Sequence, residues 1–143
     1  AHFAAARGEY EPWMASGEGA LALQILLDQF PRNCFRGTAH SYATDGLARH
    51  YAQRAVDAGL DRDVEAPLRV FCYLALEHSE ALPHQHQAVS LIAALGDAEL
   101  LRYAELHRDV VQQFGRFPHR NAALGRESTQ EEVEFLASGG FSA

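Results

Sequence analysis

Apolar residues recur along most of this chain three and four positions apart, and nowhere in the strict alternation of a half-buried strand. Residues 3–7 predict a short helix stopped by Gly8, then a polar connector over 9–17. That connector carries Tyr10 and the single tryptophan, Trp13, read as a hydrophobic lid. Residues 18–30 predict a helix apolar nearly all round (Leu21, Leu23, Ile25, Leu26, Leu27, Phe30), which belongs in the interior. Pro31 is expected to end it, since proline lacks the amide donor and restricts the residue before it. A short turn is expected over 38–43. Asp45 then reads as the N-cap of a helix over 46–58, closed by Gly59 in the left-handed region.

A second all-apolar helix is expected to start near Pro67 and run through Leu76. Pro83 opens the next, with Val89, Leu91, Ile92 and Leu95 before Gly96. Asp97 caps a long amphipathic helix whose inner stripe is Leu100, Ala104, His107, Val111 and Phe114, stopped at Gly115. Residues 115–128 show no helical period. Ser128 with Glu131, or Thr129 with Glu132, forms a capping box for a last helix to about Ala137, with a frayed tail over 138–143. The fold class is therefore all-α: six or seven helices in antiparallel hairpins within a single domain over 1–143. Stacking as a superhelix and closure as a bundle both fit.

Composition sharpens this picture. Two isoleucines, three threonines and seven valines, against abundant alanine and leucine, disfavour strands. At 143 residues and 48% apolar, the chain has enough core to exclude disorder. A net charge of −7 argues against nucleic acid and against an anionic membrane surface, and no uncharged run reaches spanning length. Two cysteines make no disulfide framework, so the expected compartment is the cytoplasm. All 12 basic residues other than histidine are arginines, suited to bidentate pairing with carboxylate or phosphate.

Those arginines gather at two proline loops, Pro31-Arg32-Asn33 and Pro118-His119-Arg120-Asn121, the second flanked by Arg116 and Arg126. Asp28, Glu77 and Glu80 lie at helix ends among apolar neighbours, where the helix dipole opposes them and burial demands a cation. These acids and Arg32, Arg116, Arg120 and Arg126 are expected to converge on one polar centre. The centre is either a structural ion-pair lattice or a site where surplus guanidinium holds an anion.

Among the histidines, His107 on its apolar stripe reads as a core residue bonded to a backbone carbonyl, whereas His78 and His119 are candidate acid–base groups. Ser79 beside His78 has no nucleophile-elbow context. His84-x-His86 lacks a third ligand, and there is no metal, phosphate-loop or dinucleotide motif, so neither a metal nor a cofactor is expected. Cys34, between Arg32 and Arg36, is expected to be packed and inert.

Several stretches resemble the bacterial "domain of unknown function 924" family. They are Leu26-Leu27-Asp28-Gln29-Phe30-Pro31-Arg32-Asn33, Arg36-Gly37-Thr38, Glu77-His78-Ser79-Glu80 and His107-Arg108-Asp109. Further on come Phe114-Gly115-Arg116-Phe117-Pro118-His119-Arg120-Asn121 and Leu124-Gly125-Arg126-Glu127-Ser128-Thr129. The resemblance covers nearly the whole chain and implies an all-helical, tetratricopeptide-like arrangement with no established activity. Typical members begin with an additional Phe-Trp-Phe-Gly-like helix, to which nothing here corresponds. His84 and His86 stand where the family usually has charged residues. A missing helix would leave an apolar groove, so the chain is expected to be a fragment or to be covered by a second copy.

Three functional readings follow. In the first, a cleft lined by both proline loops binds a small anionic ligand or an acidic peptide end. Arg32, Arg116, His119, Arg120 and Arg126 grip it, Asn33 and Asn121 orient it, and Asp28, Glu77 and Glu80 support the arginines. In the second, an enzyme uses the same cleft, with His78 or His119 as acid or base and Glu80 as partner. In the third, an interaction scaffold has a purely structural arginine centre.

Overall fold

The structure, a computed structural model, describes residues 1–141. Helix α1 (His2–Ala6) leads into a 3-10 turn, Glu11–Ala15, where Tyr10 and Trp13 stack with ring centroids 4.2 Å apart. Ser16 caps α2 (Gly17–Gln24) by accepting from the Gly19 amide. Glycine is required at position 19, because a Cβ there would sit 2.0 Å from the Trp13 carbonyl oxygen.

Pro31 does not end this helix. Residues Ile25–Gln29 widen into a π-helical turn and the rod continues as α3 (Phe30–Cys34). The wider turn relieves the clash between the proline ring and the carbonyl behind it. Pro31 also has no N–H to return, and the carbonyls it leaves behind find donors elsewhere. His2 Nδ1 donates to Leu26 at 2.8 Å and Thr44 Oγ1 donates to Leu27 at 2.6 Å. The rod is not interior all round either, since Ile25 and Phe30 are each 39% exposed.

Helix α4 (Asp45–Asp57) ends at Gly59, whose φ is +73°. Asp45 is its first residue and not its cap, which leaves the carboxylate available for other bonds. The apolar stretch after Pro67 is wound mostly as a 3-10 segment, Ala66–Cys72, before the single turn α5 (Leu74–Glu77). Tertiary bonds favour the tighter winding. Tyr73 donates to Asp61 at 2.6 Å, and Arg69 donates to the Val64 carbonyl at 3.0 Å.

Helices α6 (Leu82–Ala93) and α7 (Ala98–Phe114) form a packed antiparallel hairpin. Asp97 caps α7 by accepting from Glu99 and Leu100, and Gly115 stops it at φ +74°. Residues 115–128 hold a 3-10 turn, Pro118–Arg120, and the single turn α8 (Asn121–Leu124), both too short to produce a hydrophobic period. Helix α9 (Gln130–Ala137) opens with the capping box of Thr129 and Glu132. The expected loose tail falls partly on residues 142–143, outside the described residues. Phe141 packs on His107 with ring centroids 4.4 Å apart.

Three apolar clusters fill the interior: one around Leu23, Leu27, Tyr51 and Leu76, one around Val64, Tyr73 and Ile92, and one around Val111 and Phe117. Among the described residues there is no strand, and no helix is long and apolar enough to cross a membrane.

Candidate functional site

Burial forces the acids onto the arginines. Asp28, 2% exposed within the π turn, accepts from Arg32 at 3.0 Å, from His78 Nδ1 at 2.8 Å and from Gln29 at 2.7 Å. Burial alone would raise its carboxyl, yet His78, Arg32 and Gln29 together hold it down at about 2. Arg32 also grips Asp45 through both terminal nitrogens, at 2.8 and 2.9 Å. Arg120 donates to the His78 carbonyl at 2.7 Å and reaches Asp45 at 3.5 Å.

The second proline loop folds inward. Arg126 pairs with Glu80 through two bonds of 2.9 and 3.0 Å and also reaches the Phe117 carbonyl. Glu80 in turn accepts from the Phe117 amide at 2.7 Å. Arg116 holds Glu132 at 2.8 and 2.9 Å. Asn121 is buried between Ser128, Glu132 and Arg126, and His119 lies beside Phe117 and Phe141.

The four arginines therefore meet carboxylates, two of which, Asp28 and Glu80, are expected acids, but the arrangement departs from a single anion-binding centre. Each guanidinium is already committed to a carboxylate, so none is in surplus. Asn121 is part of the packing and not of a surface for ligand. Glu77 supports no arginine; its ion-pair neighbour among the described residues is His107, at 3.8 Å. Asp45 and Glu132 are lattice members that sequence reasoning assigned to helix capping alone. Their signal was present, since both sit in first turns beside loops rich in arginine.

An open cleft lies next to the first proline loop. It has a volume of about 330 Å³ and is lined on one side by Gln29, Arg32, Asn33 and Arg36. Val70, Leu74, Leu100 and Tyr103 form an apolar wall, and Glu77, His78 and His107 complete it. Arg36 is exposed and in no ion pair among the described residues. Asn33 donates to the Gln29 carbonyl at 2.9 Å and is otherwise exposed.

His107 fulfils the core expectation, donating through Nδ1 to the Tyr103 carbonyl at 2.7 Å. Burial and the nearby His78 push its imidazole down to about 3, so it is neutral. Glu77 is 4% exposed, and burial followed by the charge of Asp28 pushes its carboxyl up to about 7. His78 donates through Nδ1 to the Asp28 carboxylate, so Nε2 is the ring nitrogen outside that bond.

A second, polar recess of about 410 Å³ contains Arg49, His84 and Arg120. Ser79 Oγ accepts from the Ala81 amide at 3.1 Å and shares a hydrogen bond of 2.7 Å with His84 Nδ1. His84 is thus tied to Ser79 and not to His86, which is exposed. Cys34 and Cys72 are free thiols, and Cys34 is exposed at the end of α3 where packing was expected.

An all-helical domain with a buried arginine–carboxylate lattice and a histidine-lined cleft is the class these features define. The chain belongs to a family described as bacterial protein of unknown function (DUF924), which it matches over residues 1–140. It is similar to a protein of unknown function from Agrobacterium tumefaciens whose solved structure superposes with a TM-score of 0.93. The two are 54% identical over 96% of this chain and 78% of that one. No match was found among curated proteins.

Proposed function

We propose that this protein binds a small anionic ligand, a carboxylate or phosphate with an apolar body, in the cleft beside the first proline loop. The observation that carries this reading is Arg36, a guanidinium without a carboxylate partner at a cleft whose opposite wall is apolar. Asn33 supplies an orienting amide, while Arg32, neutralised by Asp28 and Asp45, adds shape more than charge. Arg116, His119, Arg120 and Arg126 do not line this cleft and take no part in holding the anion there. Two free thiols and a bacterial family support a reducing, cytoplasmic setting.

Calorimetric titration with inorganic phosphate and a panel of short mono- and dicarboxylates tests this. Arg36→Ala should weaken the binding anion about 10- to 100-fold, the range of a charge-assisted hydrogen bond. Equal affinity in wild type and variant, or no binding across the panel, overturns the reading.

The Asp28–His78 pair favours a second reading, acid–base catalysis on the bound ligand. Here the acting group is His78, with Asp28 in the orienting place first given to Glu80. His78→Asn that abolishes turnover of a bound ligand while keeping its affinity supports catalysis, and unchanged turnover removes it.

A further inference from the structure

Three side chains lining the cleft converge, and one of them has a buried atom without the partner that burial demands. One donor atom from each of Glu77, His78 and His107 lies within 4.8 Å of the others. Both imidazoles have Nδ1 committed, His78 to the Asp28 carboxylate at 2.8 Å and His107 to the Tyr103 carbonyl at 2.7 Å. The nitrogen left to each is Nε2, and on His107, only 4% exposed, that atom is buried without a hydrogen-bond partner. Glu77 is equally buried, its carboxylate accepts no hydrogen bond among the described residues, and its ion-pair neighbour there is His107, whose Nδ1 lies 3.8 Å away.

Two imidazoles and a carboxylate in this arrangement have the chemistry of a cation-ligand set. A metal-bound histidine typically donates its other ring proton to a carboxylate or a backbone carbonyl, and that bond fixes the ring and its tautomer. His78 and His107 show one of each. A buried carboxylate with no guanidinium partner beside two imidazoles is a costly arrangement in protein alone. A divalent ion would satisfy all three groups once the His107 ring presents Nε2, since its approach to Glu77 here is through Nδ1, at 3.8 Å.

We infer that Glu77, His78 and His107 form a binding site for a divalent transition-metal ion of the zinc class. Two nitrogens and one oxygen suit zinc, cobalt or nickel better than calcium or magnesium, which prefer oxygen alone. Tetrahedral bonds of about 2.0–2.1 Å hold donors about 3.3 Å apart, so the three side chains close inward slightly on binding. Three protein ligands leave a coordination position for water or for a ligand in the cleft. The site is invisible to sequence spacing, because His107 comes from α7 while Glu77 and His78 end α5. The expectation of no metal site, drawn from missing contiguous motifs, is thereby revised. The inference does not need the anion-binding reading above.

The test uses tag-free protein stripped with a chelator and titrated with cobalt(II) alone, followed by zinc competition. One cobalt per chain, with the visible absorption of low-coordinate cobalt and displacement by zinc, is the expected result. Glu77→Gln, His78→Asn and His107→Asn should each weaken affinity at least tenfold, and Asp28→Asn about tenfold through the orienting bond. Arg36→Ala should leave cobalt affinity unchanged, which separates this site from the anion reading. Folding of each variant is checked by circular dichroism. If His107→Asn unfolds, His78→Asn decides, since that side chain is 12% exposed. Absence of stoichiometric cobalt binding overturns the inference. So does binding that survives all three ligand variants, or binding lost only on His84→Ala with His86→Ala.

Discussion

Arg120 holds its guanidinium between two aromatic rings, 4.6 Å from the Tyr42 centroid and 4.7 Å from that of Phe117. Its polar partners are Asp45 and the His78 carbonyl. Removing it strips a buried carboxylate of one cation and leaves a carbonyl unbonded, so Arg120→Ala should cost about 3–5 kcal/mol in urea unfolding. Arg120→Lys should recover little, because an ammonium cannot stack or span both partners. Glu132 carries a pH signature. The Arg116 guanidinium holds its carboxyl down at about 2, against burial, with help from the Thr129 amide and Asn121. A depressed carboxyl stabilises the fold fully above its unfolded value of 4.5, and that advantage is lost as pH falls toward 2. Glu132→Gln keeps the capping geometry but not the charge. Its melting temperature should lie below that of wild type at pH 7, with the gap narrowing by pH 3.

Among the elements, the π turn depends on donors supplied from outside the helix. Thr44→Val should cost about 1–2 kcal/mol by leaving the Leu27 carbonyl unsatisfied, while Thr44→Ser should not. Chemical denaturation of the two variants reads the difference. The same element shows what a sequence reveals and what it hides. Gly59, Asp97, Gly115 and Thr129 mark boundaries with chemistry local to a few residues, and each does so in the fold. Passage through Pro31 was hidden, because its support comes from His2 and Thr44 on separate segments. The site divides likewise. That Arg32 and Arg126 must meet acids is legible from burial alone. Which acid meets which arginine is not: Asp45 has the sequence of a cap, and Glu77 faces histidines through a helix pairing no local pattern encodes.

Across the whole molecule, ion pairs link segments far apart in sequence, Glu80 to Arg126 and Asp45 to Arg120. They explain how residues 115–128 are ordered with so little regular structure. The Phe117 amide is bonded to Glu80, so it should exchange with deuterium slowly despite lying outside a helix. Glu80→Ala should speed that exchange at least tenfold, the equivalent of about 1.4 kcal/mol, in peptide-resolved mass spectrometry. Arg36→Ala should not change it.

The absence of lysine turns the same ion pairs into a reporter of unfolding. Trypsin has only the 12 arginines to cut after, and the folded chain offers them unequally. Arg7 and Arg36 stand at the surface, whereas Arg32 and Arg120 are sequestered with their carboxylates. Early digestion products thus map which side chains are accessible to the protease, and a fragment ending at Arg120 signals that the interior has already opened.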